Sequence, residues 1–220
     1  MIRILVGDDH PIIRRGLKQI LNEKSDMIVK DEASNGYEVL DKIQKNDFDI
    51  VLLDISMPGM NGIDVLKQIK LIKPGLPVLI LSMLPEEQYA IRVLKAGASG
   101  YLTKESAPEE LIMAIRKVSN KGKYISNALG EKLALDLTFN SNKMVYEFLS
   151  DREFQVMCMI ASGKTVSAIA DELSLSVKTI STYRSRILTK MNMRNNAELT
   201  HYAFENNLIP KIIFEKEKIH

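Results

Sequence analysis

The sequence predicts an α/β domain followed by an all-α domain: a doubly wound, five-stranded parallel sheet, then a four-helix unit. Three observations carry this. Short apolar runs alternate with amphipathic stretches through residues 1–120, the rhythm of repeated βα units. One run, Ile50-Val51-Leu52-Leu53, is apolar without interruption, as a strand buried on both faces is. Residues 146–206 read as helix, punctuated by Ser, Asn and Gly.

In chain order, Ile2–Val6 reads as the first strand and Pro11–Leu21 as a helix with proline in its first turn. Met27–Glu32 is the second strand. Gly36–Lys45 follows as a helix with Val39, Leu40 and Ile43 on one face. Ile50–Leu53 leads through a Pro-Gly loop to a helix over Ile63–Ile72, in which Ile63, Leu66 and Ile69 are in register. Val78–Leu81 is the fourth strand, Glu86–Ala96 a helix stopped by Gly97, and Gly100–Leu102 a short fifth strand. Ser106 is expected to cap the last helix of this half, with Pro108 inside it and Glu109 and Glu110 in its first turn, where the helix dipole favours anions.

Composition narrows the class. The chain has 220 residues, 45% hydrophobic and 26% charged, ordinary values for a globular protein with room for two domains. Its one cysteine, Cys158, lies in an apolar helical stretch and reads as a packed small hydrophobe; an internal disulfide is excluded. No apolar run approaches the roughly 20 residues that span a bilayer. Ile2–Val6 runs straight into Gly7-Asp8-Asp9 with no leader pattern, so a cytoplasmic protein without a membrane partner is expected. Residues 1–120 carry 16 Lys and Arg against 17 Asp and Glu, and residues 121–220 carry 14 against 11, which leaves the basic excess in the second half. That balance permits a nucleic-acid role there.

The polar residues at the strand ends carry the chemistry. Asp8 and Asp9 follow the first strand, Asp54 the third, Ser82 the fourth, and Thr103 and Lys104 the fifth. Taken singly, a strand-terminal Asp usually solvates a loop. Together, all of them fall on the carboxyl edge of the sheet, where open α/β sheets bind ligands. Three close carboxylates repel one another unless a cation sits among them, and hard oxygen ligands suit Mg²⁺. A lysine and a hydroxyl beside them supply donors for a phosphoryl group.

The set Asp8-Asp9, Asp54-x-x-Met57-Pro58-Gly59-Met60-Asn61-Gly62, Ser82, Tyr101 and Lys104 resembles the CheY-like receiver domain of bacterial two-component response regulators, over about residues 1–120. The resemblance implies a flavodoxin-like sheet and phosphorylation of Asp54 by a sensor histidine kinase. It implies Mg²⁺ held by Asp9, Asp54 and the main-chain carbonyl of Ser56, with Asp8 helping through water. It implies that Lys104 pairs with the phosphoryl oxygens, that Ser82 swings to them and that Tyr101 then rotates inward. Glu105, after the lysine, departs from the proline common in the family.

Residues 121–145 are mixed in character and are expected to be a linker, with an amphipathic patch at Leu129–Leu137 that suits a short helix. Beyond it, Ser150 and Glu153 form a capping-box pattern at the start of a helix that ends at Ser162-Gly163. Val166–Leu173 is a short helix with Ile169, Ala170 and Leu173 inward. After the Ser174-Leu175-Ser176 turn, Ser176 caps a third helix to about Met191, and a fourth spans about 195–204. Short helix, tight turn and capped longer helix make a helix-turn-helix, whose second member enters the major groove.

In that member Ile180, Ile187 and Met191, with Leu188 beside them, are the expected core. Lys178, Ser181, Thr182 and Ser185 form a polar stripe. A solvated helix face is the bland reading. Short hydroxyls in place of long Glu/Lys pairs, flanked by Arg184, Arg186 and Lys190, argue for base edges and phosphates instead. Thr179 and Tyr183 complete the candidate DNA-contacting set. Leu149-Ser150-x-Arg152-Glu153, Ile169-Ala170-x-x-Leu173, Ser176-Val177-Lys178-Thr179-Ile180, Lys190-Met191 and Ala197-Glu198-Leu199 resemble the LuxR-type DNA-binding domain.

Together the two halves are similar to NarL/FixJ-type response regulators: receiver 1–120, linker 121–145, helix-turn-helix domain 146–208, and a tail 209–220 that matches no pattern. The expectation is a phosphorylation-controlled transcription regulator, not an enzyme, that binds double-stranded promoter DNA as a homodimer when phosphorylated, with RNA polymerase a further candidate partner. The alternative is a signalling adaptor whose helical domain docks a protein. The polar stripe disfavours it, since a docking helix carries exposed apolar anchors. A phosphatase-type hydrolase would need a second carboxylate two residues after Asp54, and that position is Ser56.

Overall fold

The structure, a computed structural model, describes residues 1–126, 129–131 and 145–209. The chain divides into two compact units, Met1–Leu135 and Asp136–His220.

In the first unit five strands alternate with five helices: β1 (Ile2–Gly7), α1 (Pro11–Asn22), β2 (Met27–Ala33), α2 (Gly36–Lys45), β3 (Ile50–Leu53), α3 (Gly62–Ile72), β4 (Val78–Ser82), α4 (Glu86–Lys95), β5 (Gly100–Thr103) and α5 (Pro108–Ser119). The expected boundaries hold to within one residue. The strands are all parallel, in the order β2-β1-β3-β4-β5. Central β3 is buried at all four positions, whereas edge strand β2 begins by alternating buried and exposed residues. That contrast is what one covered edge and a doubly covered centre require. One side of the core packs Val6, Leu52, Leu81 and Leu102 of the strands against Leu17 and Leu21 of α1 and Ile112 and Ile115 of α5. Each fully buried aliphatic side chain there is worth about 1.5–3 kcal/mol.

One expected cap is displaced. The N-cap of α5 is Ala107, in extended conformation, and Ser106 instead places its hydroxyl 3.3 Å from that of Thr103. Pro108 at the first helical position explains this, because proline excludes the helical region for the residue before it and thereby fixes Ala107 as the boundary.

The expected linker is only partly described, and its first residues belong to the sheet. The Tyr124 N–H donates to the Ser99 carbonyl at 2.8 Å, and Tyr124 pairs in parallel with Gly100 at the outer edge of β5. A Cβ on Gly100 would stand 2.8 Å from the Tyr124 carbonyl oxygen, so this close approach requires glycine. The Tyr124 hydroxyl donates to Glu110 on α5 at 2.6 Å, and the Ser126 hydroxyl to Glu86 on α4 at 2.6 Å. This strap covers part of an otherwise open strand edge. Leu129 to Glu131 are helical; the remainder of the expected 129–137 helix lies outside the described residues.

The second unit opens with a 3-10 turn (Val145–Phe148), then α6 (Asp151–Ala161), α7 (Val166–Glu172), α8 (Val177–Lys190) and α9 (Asn196–Glu205). Ser150 and Glu153 form the complete reciprocal capping box, and Ser176 accepts the Thr179 N–H at the start of α8. Gly163 takes φ +83° after α6 and ends it. Phe154, Val156, Met157, Ile169, Ile180, Ile187 and Leu199 are buried together with Cys158, a free thiol. Of the tail 209–220 only Ile209, which is buried, is described.

Candidate functional site

Sheet register builds the first site. β1 and β3 are neighbours with Gly7 opposite Leu53, so the next residues, Asp8 and Asp54, emerge side by side, and the Asp54 N–H donates to the Gly7 carbonyl at 2.8 Å. This is where the strand order reverses, the point at which doubly wound sheets open a crevice. On β4 and β5, Ser82 faces Thr103, and the next N–H, that of Lys104, donates to the Ser82 carbonyl at 2.9 Å. The chain leaves β3 through Asn61, which caps α3, and Gly62, where a Cβ would lie 2.1 Å from the Asp54 carbonyl oxygen. Only glycine lets α3 begin that close to the site.

The Lys104 ammonium, 3% exposed, lies 2.7 Å from an oxygen of Asp8 and 2.7 Å from an oxygen of Asp54, both nearly fully buried. Burial pushes the Asp54 carboxyl above the ordinary aspartate range; Lys104 pulls it down and Asp8 adds to the rise. Burial disfavours the Lys104 charge too, but Asp54 and Asp8 outweigh it and raise the lysine above its usual value. A charged lysine between two carboxylates leaves the cluster one negative charge in excess before Asp9 is counted.

Asp8, Asp9, Asp54 and His10 each offer a ligand atom, and these atoms all lie within 4.8 Å of one another. Oδ1 of Asp9 is buried and accepts no hydrogen bond, although His10 Nδ1 stands 2.8 Å from it, out of line. A buried orphan acceptor costs about 1–3 kcal/mol, and carboxylate oxygens are the donors a hard divalent cation prefers. The residues present therefore fit such an ion. His10 was missed by sequence reasoning: it is exposed, its N–H donates to Asp8 Oδ1 at 2.8 Å, and only its position after Asp8-Asp9 could have flagged it. Arg14 was missed as well; it reaches from α1 to the Asp8 carbonyl at 2.6 Å.

Of the remaining residues, the Ser56 N–H donates to Asp54 Oδ1 at 3.2 Å. The Ser82 side chain is fully buried and accepts the Leu84 N–H at 3.3 Å. Tyr101, expected to rotate inward on phosphorylation, faces inward here. It is 1% exposed and already turned in, held by its hydroxyl on the Leu84 carbonyl at 2.6 Å.

The second site is the outer face of α8. Lys178, Ser181, Thr182, Ser185 and Arg186 are exposed, while Ile180 and Ile187 face the core, as the period predicts. The hydroxyls bond back along the helix, Thr182 to the Lys178 carbonyl at 2.9 Å and Ser185 to the Ser181 carbonyl at 3.1 Å. With the proton so engaged, the exposed hydroxyl oxygens are left to act as acceptors. Thr179 puts its hydroxyl 2.8 Å from that of Ser176. Tyr183 and Arg184 are half-buried, and Arg184 donates to Asn196 on α9 at 2.7 Å. Lys190 is an ion-pair partner of Glu153 at 2.6 Å, so its charge is matched inside the unit.

Residues 4–116 match the response regulator receiver domain family, and residues 147–203 match the luxR family of bacterial regulatory proteins. The chain is 35% identical to the response regulator UvrY of Escherichia coli over 209 residues, covering 94% of this chain and 96% of UvrY. It is 34% identical to the oxygen regulatory protein NreC of Staphylococcus epidermidis, over 94% of this chain and 99% of that one. Among solved structures, it is similar to RcsB from Salmonella enterica serovar Typhimurium bound to the promoter rprA, at 26% identity and TM-score 0.62, covering 91% of this chain and 97% of that one. It is also similar to a LuxR-family response regulator from Aurantimonas, at 30% identity and TM-score 0.59, over 63% of this chain and 99% of that one. Sheet order, the Asp8–Lys104–Asp54 cluster, the helix-turn-helix and these matches agree: the chain belongs to the LuxR-type two-component response regulators, with a receiver domain and a DNA-binding domain that regulates transcription.

Proposed function

We propose that Asp54 accepts a phosphoryl group from a cognate sensor histidine kinase, and that the phosphorylated chain binds specific promoter DNA as a homodimer through α8. The supporting observation is the convergence of Asp54, Asp8 and Lys104 at the carboxyl edge of the sheet, at 2.7 Å contacts. An oxygen of ionised Asp54 attacks phosphorus, a P–O bond forms, and the P–N bond to the donor imidazole breaks. Asp8, Asp9, Asp54 and the Ser56 carbonyl would hold Mg²⁺, which neutralises the pooled carboxylates and the charge developing on the transferred group. Lys104 then exchanges its Asp54 contact for a phosphoryl oxygen, and Ser82 turns from the Leu84 N–H toward the new group.

The product is an acyl phosphate that water can hydrolyse, so the site is a timed switch and not an enzyme with a substrate pool. Exposed Lys178 and Arg186 suit phosphates, and the hydroxyl stripe suits base edges. Pairing two such units on one duplex makes the second contact intramolecular. Relatives described as RcsB dimers bound to DNA support that assembly. We take 1–120, 121–145, 146–208 and 209–220 as receiver, linker, DNA-binding domain and tail. No helix among the described residues is long and apolar enough to cross a membrane, in keeping with a cytoplasmic regulator. RNA polymerase is the partner such a regulator would meet at a promoter.

The deciding measurement is intact mass after incubation with a small phosphoryl donor. Wild type gains one phosphoryl group in Mg²⁺ and none in chelator, and Asp54→Asn gains none. Full phosphorylation of Asp54→Asn would sink the assignment.

A further inference from the structure

At the opposite end of the first unit from Asp54, a cleft of ≈ 530 Å³ opens between the C-terminal ends of α3 and α4 and the chain after α5. Lys70, Lys95, Lys121 and Lys123 line it, from three separate segments, and no carboxylate does. Lys70 donates to the Leu76 carbonyl at 2.6 Å and Lys123 to the Ala98 carbonyl at 2.6 Å, so both ammonium groups are placed by neutral acceptors. Among the described residues, Lys70, Lys121 and Lys123 have no ion-pair partner. The acids of the adjoining cleft are already matched, Asp47 by Lys73 at 2.9 Å and Asp49 by Arg3 at 2.9 Å. Burial lowers the Lys70 pKa, and the charge of Lys123 lowers it further.

The bland account is that lysines complement the carbonyl ends of helices. It covers Lys70 and Lys95, in the last turns of α3 and α4. It extends to Lys123, on the Ala98 carbonyl just past the end of α4, but does not cover Lys121, which comes after α5 and turns toward the same space. Lys121 does so from a left-handed backbone (φ +62°). Gly97 beside them has φ +105°, and a Cβ there would stand 3.1 Å from Lys70 Cγ, so its lack of a side chain makes room for the lysine stem. Lys70, Lys121 and Lys123, like charges brought together with no carboxylate among the lining residues, raise the energy of the cleft, and a multivalent anion relieves it. Compact ammonium charges suit phosphate oxygens. No aromatic ring lines the cleft, so the recognised part is a phosphate chain and not a base.

We propose that this cleft binds a linear oligophosphate, free or as the phosphate chain of a nucleotide. The anion would join Lys70 and Lys95 on the helices to Lys121 and Lys123 and thereby fasten the strap that runs on through Tyr124 to Ser126.

The test uses the full chain, without divalent metal and at low fixed salt, titrated with pyrophosphate, tripolyphosphate and ATP by calorimetry, with amide exchange read over 121–126. Tripolyphosphate is expected to bind and to slow exchange there. The Lys70→Gln/Lys123→Gln variant, shown folded by its thermal melt, should bind at least about tenfold more weakly, and Lys70→Arg/Lys123→Arg should retain binding. Equal affinities for tripolyphosphate and ATP make the free chain sufficient; a preference for ATP with the same variant dependence names a nucleotide as the source. Arg186→Gln on α8 is the control for anions held at the DNA-binding face, and it should leave the affinity for tripolyphosphate and the exchange over 121–126 as in wild type. Absence of binding at millimolar oligophosphate, or binding that Arg186→Gln removes and the lysine pair does not, overturns the proposal.

Discussion

Replacing Lys104 by Met tests the electrostatics of the acidic cluster more directly than any change at Asp54. The side chain keeps its length and loses its charge, leaving Asp8 and Asp54, both 2–3% exposed, facing each other with no cation between them. Breaking a buried ion pair from one side costs about 3–5 kcal/mol, which for a domain of this size lowers Tm by on the order of 10–20 °C. Two linkages identify the cause. Without Lys104, burial and the Asp8 charge raise the Asp54 carboxyl further above its unfolded value. The folded state then holds more protons, and the deficit shrinks as pH falls from 7 toward 4. A divalent cation held by the cluster as proposed would bind only the folded state, so Mg²⁺ at 100 times its dissociation constant would restore about 2.7 kcal/mol. The assay is thermal unfolding of wild type and Lys104→Met in chelator and in Mg²⁺, at several pH values. A variant as stable as wild type in chelator at pH 7, or one indifferent to both Mg²⁺ and pH, refutes the reasoning.

On α8, Thr182→Ala should lose about 1–3 kcal/mol on the true site and little on scrambled DNA, because it deletes an outward acceptor. Arg186→Ala should weaken both duplexes alike and reduce the salt slope by about 1, as read by titration at several salt concentrations. In the same unit, Lys190 and the Ser150 cap more than offset burial and hold Glu153 below its ordinary value of 4.5. The stability it supplies is present above that value and is lost as pH falls through the lower folded pKa. Glu153→Gln keeps the reciprocal cap and loses the charge. It should cost about 1–2 kcal/mol at pH 7 and flatten the acid limb of the melt between pH 5 and 3; an unchanged acid limb would show that Glu153 does not carry it.

The first site was legible because its geometry follows from strand register. Asp8, Asp54 and Lys104 each sit one step past the end of a strand and Ser82 is the last residue of one, and parallel strands in the order found bring these positions to one edge. No long-range contact has to be guessed. Helix caps were legible for a similar reason: Ser150 and Ser176 act on N–H groups within a few residues. Ser106 failed because a competing local rule, the restriction before Pro108, decided the boundary. The strap was not legible. Lys123-Tyr124-Ile125-Ser126 has too little pattern to read as a strand, and its place on β5 depends on a glycine 24 residues earlier and on acids from two other helices.

Lys190 shows where charge reading on a helix stops. From the sequence it stands among the cations flanking the hydroxyl stripe, and nothing local separates it from Arg186. In the fold the last turn of α8 passes the start of α6, where the Glu153 carboxylate is buried by the capping box and needs a partner. The lysine answers that need. Arg184 is drawn in the same way to Asn196 at the start of α9. The exposed charge left on α8 is then Lys178 at its beginning and Arg186 near its end, on either side of Ser181, Thr182 and Ser185. Two exposed cations around a short hydroxyl-bearing centre fit the division of labour a groove-bound helix requires. The face of α8 is thus defined as much by which cations the domain withdraws from it as by which it leaves exposed.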